Sequence, residues 1–129
     1  MASSSYYYSQ MLDYSRSKRA CEEKKEEYNN YLKKLENLSI NLDTAFDDLV
    51  NSESNFKNGG YVNDGVPIGN DTLKNSYKSL EKSISILEKV IKKTKDRIDD
   101  INDDINKYKR LYNSANENYK EAKKRESMN

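Results

Sequence analysis

The sequence contains no histidine and no tryptophan, and it has only one cysteine, Cys21. Without histidine there is no His-based general base, no Ser-His-Asp or Cys-His nucleophile, and no common catalytic zinc ligand set. A single cysteine cannot form a disulfide within the chain or supply a cysteine-based zinc site. We therefore predict that the protein is not an enzyme and has no catalytic residues, bound metal or cofactor.

Long apolar runs are also missing. No run approaches the ~18–20 residues that a membrane-spanning helix needs. The first residues, MASSSYYYSQMLDYSRSK, lack the basic segment followed by an apolar segment that marks a Sec signal peptide. We expect a protein that is made in the cytoplasm and has no membrane span. If it is exported, the route does not use a cleavable N-terminal signal.

The composition of the 129 residues is polar, with 34% apolar and 35% charged side chains, and it favours a narrow apolar seam over a compact globule. A net charge of +1 gives no overall attraction to nucleic acid. The charge is unevenly distributed. Residues 1–56 carry 7 basic and 10 acidic side chains, a net of −3, and residues 73–129 carry 15 and 10, a net of +5.

The second half of the chain, which we call the second arm, has a strict heptad spacing. Alternating steps of four and three residues connect Leu73, Tyr77, Leu80, Ile84, Leu87, Ile91, Thr94, Ile98, Ile101, Ile105, Tyr108, Tyr112, Ala115, Tyr119 and Ala122. Apolar side chains sustained at this spacing are typical of a coiled-coil helix. Asp71, just before the first of these positions, is a predicted N-cap.

The first arm has the same spacing, with four polar members. Its frame is Tyr7, Met11, Tyr14, Lys18, Cys21, Lys25, Tyr28, Leu32, Leu35, Ser39, Leu42, Phe46, Leu49, Glu53 and Phe56. A second apolar row, Tyr31, Leu38 and Ala45, lies beside this frame. The apolar face between Tyr28 and Leu49 is therefore wider than one helical neighbour requires.

Folding the chain between the arms aligns the two frames, so that Leu42 faces Leu87 and Met11 faces Tyr119, with paired residue numbers that sum to 129 or 130. We predict an all-α fold, a long antiparallel two-helix hairpin forming one domain over residues 1–129. Helix one is expected over about 5–56, a turn over about 57–71 and helix two over about 72–124. The alternative is two separate segments of a larger parallel coiled coil.

The polar frame positions allow two interpretations. Lys18 would face Tyr112, Lys25 would face Ile105, and Glu53 could accept a hydrogen bond from the Tyr77 hydroxyl. These positions either fix the register at some cost in stability or leave gaps for a partner helix.

The segment between the arms contains every glycine of the chain and its single proline: Gly59, Gly60, Gly65, Pro67 and Gly69. Its spacing matches neither a dinucleotide fingerprint nor a P-loop, and it lacks the ligand spacing of a calcium loop. The glycines permit positive φ and the proline stops a helix, so we predict a turn, with a small β-hairpin around Asn-Asp-Gly as an option. The alternative is that this segment contacts a protein partner.

Tyrosine is unusually frequent, with 11 residues, and nine of these lie in the half of the predicted hairpin away from the turn. Tyrosine is enriched at protein interfaces. We predict a protein partner, most simply another helical hairpin or a second copy of the chain, and no nucleic acid. The predicted contact residues are Tyr14, Tyr28, Tyr31, Leu38 and Ala45.

Two long helices around the bend NFKNGGYVNDGVPIGNDTLKNSYKSLEKSI resemble the WXG superfamily of type VII secretion. The likeness is greatest to the small helical proteins encoded beside LXG toxins in Gram-positive bacteria. The family's Trp-x-Gly is absent, with Phe56 to Gly59 as a loose substitute. Its C-terminal Tyr-x-x-x-Asp/Glu export signal is matched only by Tyr77 and Glu81, near the start of helix two.

The resemblance implies a targeting partner that binds the helical domain of an LXG-type toxin, with the toxin or the complex supplying the export signal. The alternative is a cytoplasmic coiled-coil scaffold or a self-associating four-helix bundle.

Overall fold

The computed structural model of the chain describes residues 2–58 and 70–128, and within these ranges it contains no strand. Helix α1 spans Ser4–Asn58 and helix α2 spans Asn70–Ser127. The two helices pack against each other. The predicted all-α, antiparallel two-helix hairpin is therefore confirmed.

Both helices extend further into the linking segment than the sequence predicts. Because α2 begins at Asn70, Asp71 lies within the helix, and its side chain, the predicted N-cap, lies outside the described part of the structure. The predicted β-hairpin lies outside the described residues. So do the turn residues Gly59, Gly60, Gly65, Pro67 and Gly69.

The predicted heptad frame matches the burial of the side chains. Every frame position of α1 from Tyr7 to Leu49 is half-buried, and every frame position of α2 from Tyr77 to Ala122 is half-buried or buried. Where the structure describes the side chains, residues 2–52 and 74–128, the buried apolar ones all belong to the α2 frame: Leu87, Ile98, Ile101, Ala115 and Ala122. The seam between the helices is thus the one that the spacing predicts.

The chain is divided into two compact units, and each helix contributes a segment to both. Unit 1 comprises Met1–Asn30 and Lys95–Asn129, and unit 2 comprises Tyr31–Thr94. That the whole chain acts as one domain stays a prediction.

Unit 1 contains most of the buried apolar side chains. Ile101 is only 2% exposed, and Ala115 and Ala122 are also buried. In the predicted register each of these alanines faces a tyrosine of α1, so the small side chain leaves space for a ring. Lys18, a polar frame position, lies 3.6 Å from the Glu22 carboxylate one turn along α1. Its charge is therefore directed along the helix surface, and both interpretations of the polar frame positions stay predictions.

A carboxylate from the end of α2 caps the start of α1 in unit 1. The Ser4 backbone N–H donates to Glu126 Oε1 at 2.9 Å, and the Ser4 hydroxyl donates to Oε2 at 2.6 Å. The first turn of α1 has no acidic residue of its own. Glu126 therefore supplies the negative charge and the acceptor that a helix N-terminus requires. The residue numbers 4 and 126 sum to 130, as the predicted register requires.

Among the described residues of unit 2, Leu87 is the only buried apolar side chain, at 7% exposure. The Tyr77 ring packs edge-on against Phe46, with centroids 5.5 Å apart, and its hydroxyl donates to the Leu49 carbonyl at 3.4 Å. The side chain of Glu53, the predicted acceptor for this hydroxyl, lies outside the described residues. Thr94, the polar frame position of α2, donates to the Val90 carbonyl of its own helix at 2.8 Å.

Replacing Ile101 with alanine should destabilise the protein by about 2–5 kcal/mol, because it leaves a cavity at the best-buried large side chain. The matched control is Ile40→Ala, because Ile40 is 62% exposed on α1. That change should alter stability by less than about 0.5 kcal/mol. Urea denaturation followed by circular dichroism, at one protein concentration, measures both. Equal effects would contradict the assignment of the core.

Replacing Glu126 with glutamine should weaken the cap of α1. The hydrogen bond from the Ser4 hydroxyl, and then that from its backbone N–H, lower the pKa of the Glu126 carboxyl below its ordinary value. Since the folded pKa is lowered, the contribution to stability is present above the ordinary glutamate pKa of about 4.3 and is lost as the pH falls through the lowered value. Amide-exchange protection in the first turn of α1 should therefore drop in the variant at pH 7.

The pH dependence of that protection is the second readout. In the unmodified protein, protection of the first turn should fall towards that of Glu126→Gln as the carboxylate is protonated. Glu117→Gln, an exposed change on the same helix, serves as the control. Unchanged protection in Glu126→Gln at pH 7 would show that the carboxylate does not cap α1.

Candidate partner-binding surface

The predicted contact residues fall into two classes of exposure. Tyr14 and Tyr28 are half-buried frame positions of unit 1. In unit 2, Tyr31 is 45% exposed, Leu38 is 48% exposed, and Ala45 is exposed. The structure therefore places Tyr14 and Tyr28 along the seam and leaves the predicted second apolar row at the surface.

Leu38 lines an apolar groove of about 380 Å³ in unit 2. Residues of both helices form the groove, and all but one are apolar: Leu35, Leu38, Leu42, Ser83, Ile86, Leu87 and Val90. Leu42 and Leu87 face each other in the predicted register, so their place in one groove supports that register in unit 2. Three of its leucines, Leu35, Leu42 and Leu87, are half-buried or buried, and its other apolar side chains are exposed.

Two residues of α2 belong to this surface although the sequence reasoning did not select them. Ile86 is 52% exposed and Val90 is 40% exposed, and both line the groove with Leu38. The sequence held a signal for Val90. It directly precedes the frame residue Ile91, just as Leu38 directly precedes the frame residue Ser39.

The heptad positions explain why these residues share one side. In unit 2 the a positions are Leu32, Ser39 and Phe46 on α1, and Tyr77, Ile84 and Ile91 on α2. The residues directly before them are the g positions, and the residues directly after the d positions are the e positions. When two helices pair antiparallel, the g positions of both lie on one side of the pair and the e positions lie on the other.

The two sides of unit 2 differ in charge. Its described g positions carry no charged residue: Tyr31, Leu38, Ala45 and Ser52 on α1, and Ser76, Ser83 and Val90 on α2. The e positions of both helices are mostly acidic and exposed, with Glu36, Asp43, Glu81 and Glu88. Charged residues usually occupy both e and g positions. An uncharged side is unusual, and we name the g positions of unit 2 together with Ile86 the g face.

The tyrosine-rich end in unit 1 has a different chemistry. Tyr8 packs against Tyr119 with ring centroids 6.0 Å apart, in a recess that also contains Ser4, Ser5 and Lys123. A second recess contains Tyr7, Lys124 and Arg125. Charged side chains line both recesses, whereas no charged side chain lines the groove of the g face. Of the two predicted contact regions, the g face is the better candidate for helix docking.

Within the described part of the chain, no group of three or more His, Cys, Asp or Glu side chains is placed to hold a metal ion. Neither described helix has a stretch long and apolar enough to cross a membrane.

The comparisons with known proteins give no match. No family model matches the chain, and neither does any curated protein or solved structure.

Proposed function

We propose that the protein is a non-enzymatic helical adaptor that binds the helical domain of an LXG-type toxin and targets it for type VII secretion. The binding part of this proposal rests on the g face of unit 2. This side of the helical hairpin is uncharged and has exposed apolar side chains. The toxin and the secretion route come from the resemblance of the bend and of the two-helix architecture to the WXG superfamily.

The physical basis for binding is helix-on-helix burial. A partner helix with its own apolar stripe would place side chains in the groove between Leu38 and Ile86. Removing apolar surface from water at ~25 cal/mol per Å² would favour the complex. Because the g positions are uncharged, docking there requires no desolvation of a charged group at these positions.

The position of Tyr77 supports an export signal on the partner or on the complex. Tyr77 and Glu81, near the start of α2, match the Tyr-x-x-x-Asp/Glu pattern of the family's export signal. The Tyr77 ring packs on Phe46 and its hydroxyl bonds the Leu49 carbonyl, so the side chain is engaged within unit 2. A receptor would have to displace these contacts before it could read the tyrosine.

Co-expression with the helical domain of a toxin encoded beside this chain tests the proposal. The unmodified chain should co-purify with that domain. Leu38→Asp should reduce co-purification at least ~10-fold, because it puts a charge into an apolar contact. Helicity by circular dichroism should be unchanged, since Leu38 lies outside the seam. Ile40→Asp, the same change at an exposed position on another side of the same helix, should leave complex formation intact.

Two results would contradict the proposal. In the first, the chain purifies without the toxin domain. In the second, Leu38→Asp and Ile40→Asp co-purify with the domain equally well, which would place the contact elsewhere. If Leu38→Asp lost its helicity, Leu38 would belong to the intrachain core, and the g face would not be a binding surface.

A further inference from the structure

One side of unit 1 carries positive charge only, where the first turns of α1 lie beside the last turns of α2. The b and e positions of a helix are three and four residues apart, so they share one side of it. Over residues 4–19 and 106–125 these positions hold four basic and no acidic side chains. The four are all exposed: Arg19, Lys109, Lys120 and Lys123. We name the b and e positions of these two ranges the basic flank.

The contacts in unit 1 bring the e positions of both helices together. Tyr8 and Lys123, which are both e positions, line one recess together with Tyr119. The rings of Tyr8 and Tyr119 pack with their centroids 6.0 Å apart. The lysines of α2 at e positions therefore lie on the same side of unit 1 as the stripe of α1 that contains Tyr8.

Two large side chains are exposed among these charges. Tyr8 is 51% exposed, and Leu12, one turn further along α1, is 41% exposed. The other members of the basic flank are uncharged: Ser5, Ser15, Asn106, Asn113 and Asn116. This surface thus combines exposed apolar and aromatic side chains with cations, and it carries no carboxylate.

The opposite flank of unit 1 has balanced charge. Its c and g positions over the same two ranges carry two basic and two acidic side chains. The charge also changes along unit 1. Residues 2–21 and 105–128 have a net charge of +6, whereas residues 22–30 and 95–104 have a net charge of −5. The unbalanced positive charge of unit 1 therefore lies at the end that carries the basic flank.

We propose that the basic flank binds the surface of an anionic lipid bilayer, with Leu12 and Tyr8 entering the headgroup region. Each lysine or arginine held near an anionic membrane adds to the attraction. An exposed leucine and tyrosine bury apolar surface at the same interface. The acidic residues at 22–30 and 95–104 are repelled by the same bilayer, so unit 1 meets it through its basic end.

A bilayer fits this surface better than a nucleic acid does. Tyrosines that bind single-stranded nucleic acid stack their ring faces on bases. The Tyr8 ring packs against Tyr119, which leaves less of its surface for a base. Leu12 offers a nucleic acid no favourable contact, whereas a bilayer takes up an apolar side chain without a complementary pocket.

This inference does not rest on the proposed function. The basic flank belongs to unit 1 and the g face belongs to unit 2. Vesicle binding is measured on the chain alone, without a toxin domain, so the two proposals can fail separately.

Co-sedimentation of the purified chain with vesicles is the first experiment. The chain should bind vesicles of phosphatidylglycerol and phosphatidylcholine in equal parts and should not bind phosphatidylcholine alone, and added salt should release it. Lys120→Gln and Lys123→Gln should each weaken binding about 5-fold. Lys107→Gln removes the same charge from an exposed position on the opposite flank of α2, and it should weaken binding less than ~2-fold. No binding to the anionic vesicles, equal binding to both kinds, or equal losses for Lys107→Gln and Lys120→Gln would overturn the proposal.

An environment-sensitive fluorophore shows which side chains enter the bilayer. It is attached to Leu12→Cys or to Ala20→Cys, each in the Cys21→Ser background; Ala20 is an exposed c position on the same helix. Anionic vesicles should shift the emission of the Leu12→Cys label to shorter wavelength and leave that of the Ala20→Cys label unchanged. Equal shifts at both positions would contradict the orientation. Tighter binding of the chain to a single-stranded oligonucleotide or to polyglutamate than to these vesicles would overturn the proposal in favour of that partner.

Discussion

The structure depends on an apolar contact, one side chain wide, between two antiparallel helices. Most frame residues meet the opposite helix on one side and water on the others, which is why most of the described frame is half-buried rather than buried. Ile101, at 2% exposure, shows how closely the seam packs in unit 1. A seam of this width aligns the two helices. The chemistry of the surfaces on either side of it depends on the residues at the flanking positions.

The flanking positions distinguish the two units. In unit 1 the g positions include charged residues such as Lys24, Arg97 and Asp104, and charged groups beside a seam stay hydrated. In unit 2 the g positions are uncharged while the e positions are mostly acidic. The same backbone pattern therefore presents a solvated flank in one unit and an apolar flank in the other, and this difference supports protein association as the function of unit 2.

Much of the fold follows from the spacing of the apolar residues, because a heptad seam specifies which positions are least exposed. The Glu126 cap on Ser4 could not be predicted in the same way, because the register brings these two residues together but the apolar spacing does not indicate which polar side chain caps a helix. The helix limits near the turn, predicted at about 56 and about 72, lie within two residues of the ends at Asn58 and Asn70, because capping patterns define an end only to within one or two residues. Val90 was predictable. Because the two helices pair antiparallel, the g positions of α2 lie on the same side of the pair as Leu38, and Val90 is one of them.

The rate of thiol labelling at position 38 tests most directly whether another helix covers the g face. Leu38→Cys and Ile40→Cys, each in the Cys21→Ser background, place one reactive thiol on or off this face of the same helix. When the toxin domain is added, labelling of Leu38→Cys should slow at least ~10-fold while that of Ile40→Cys stays constant. Parallel changes at both positions, or constant rates at both, would contradict the account.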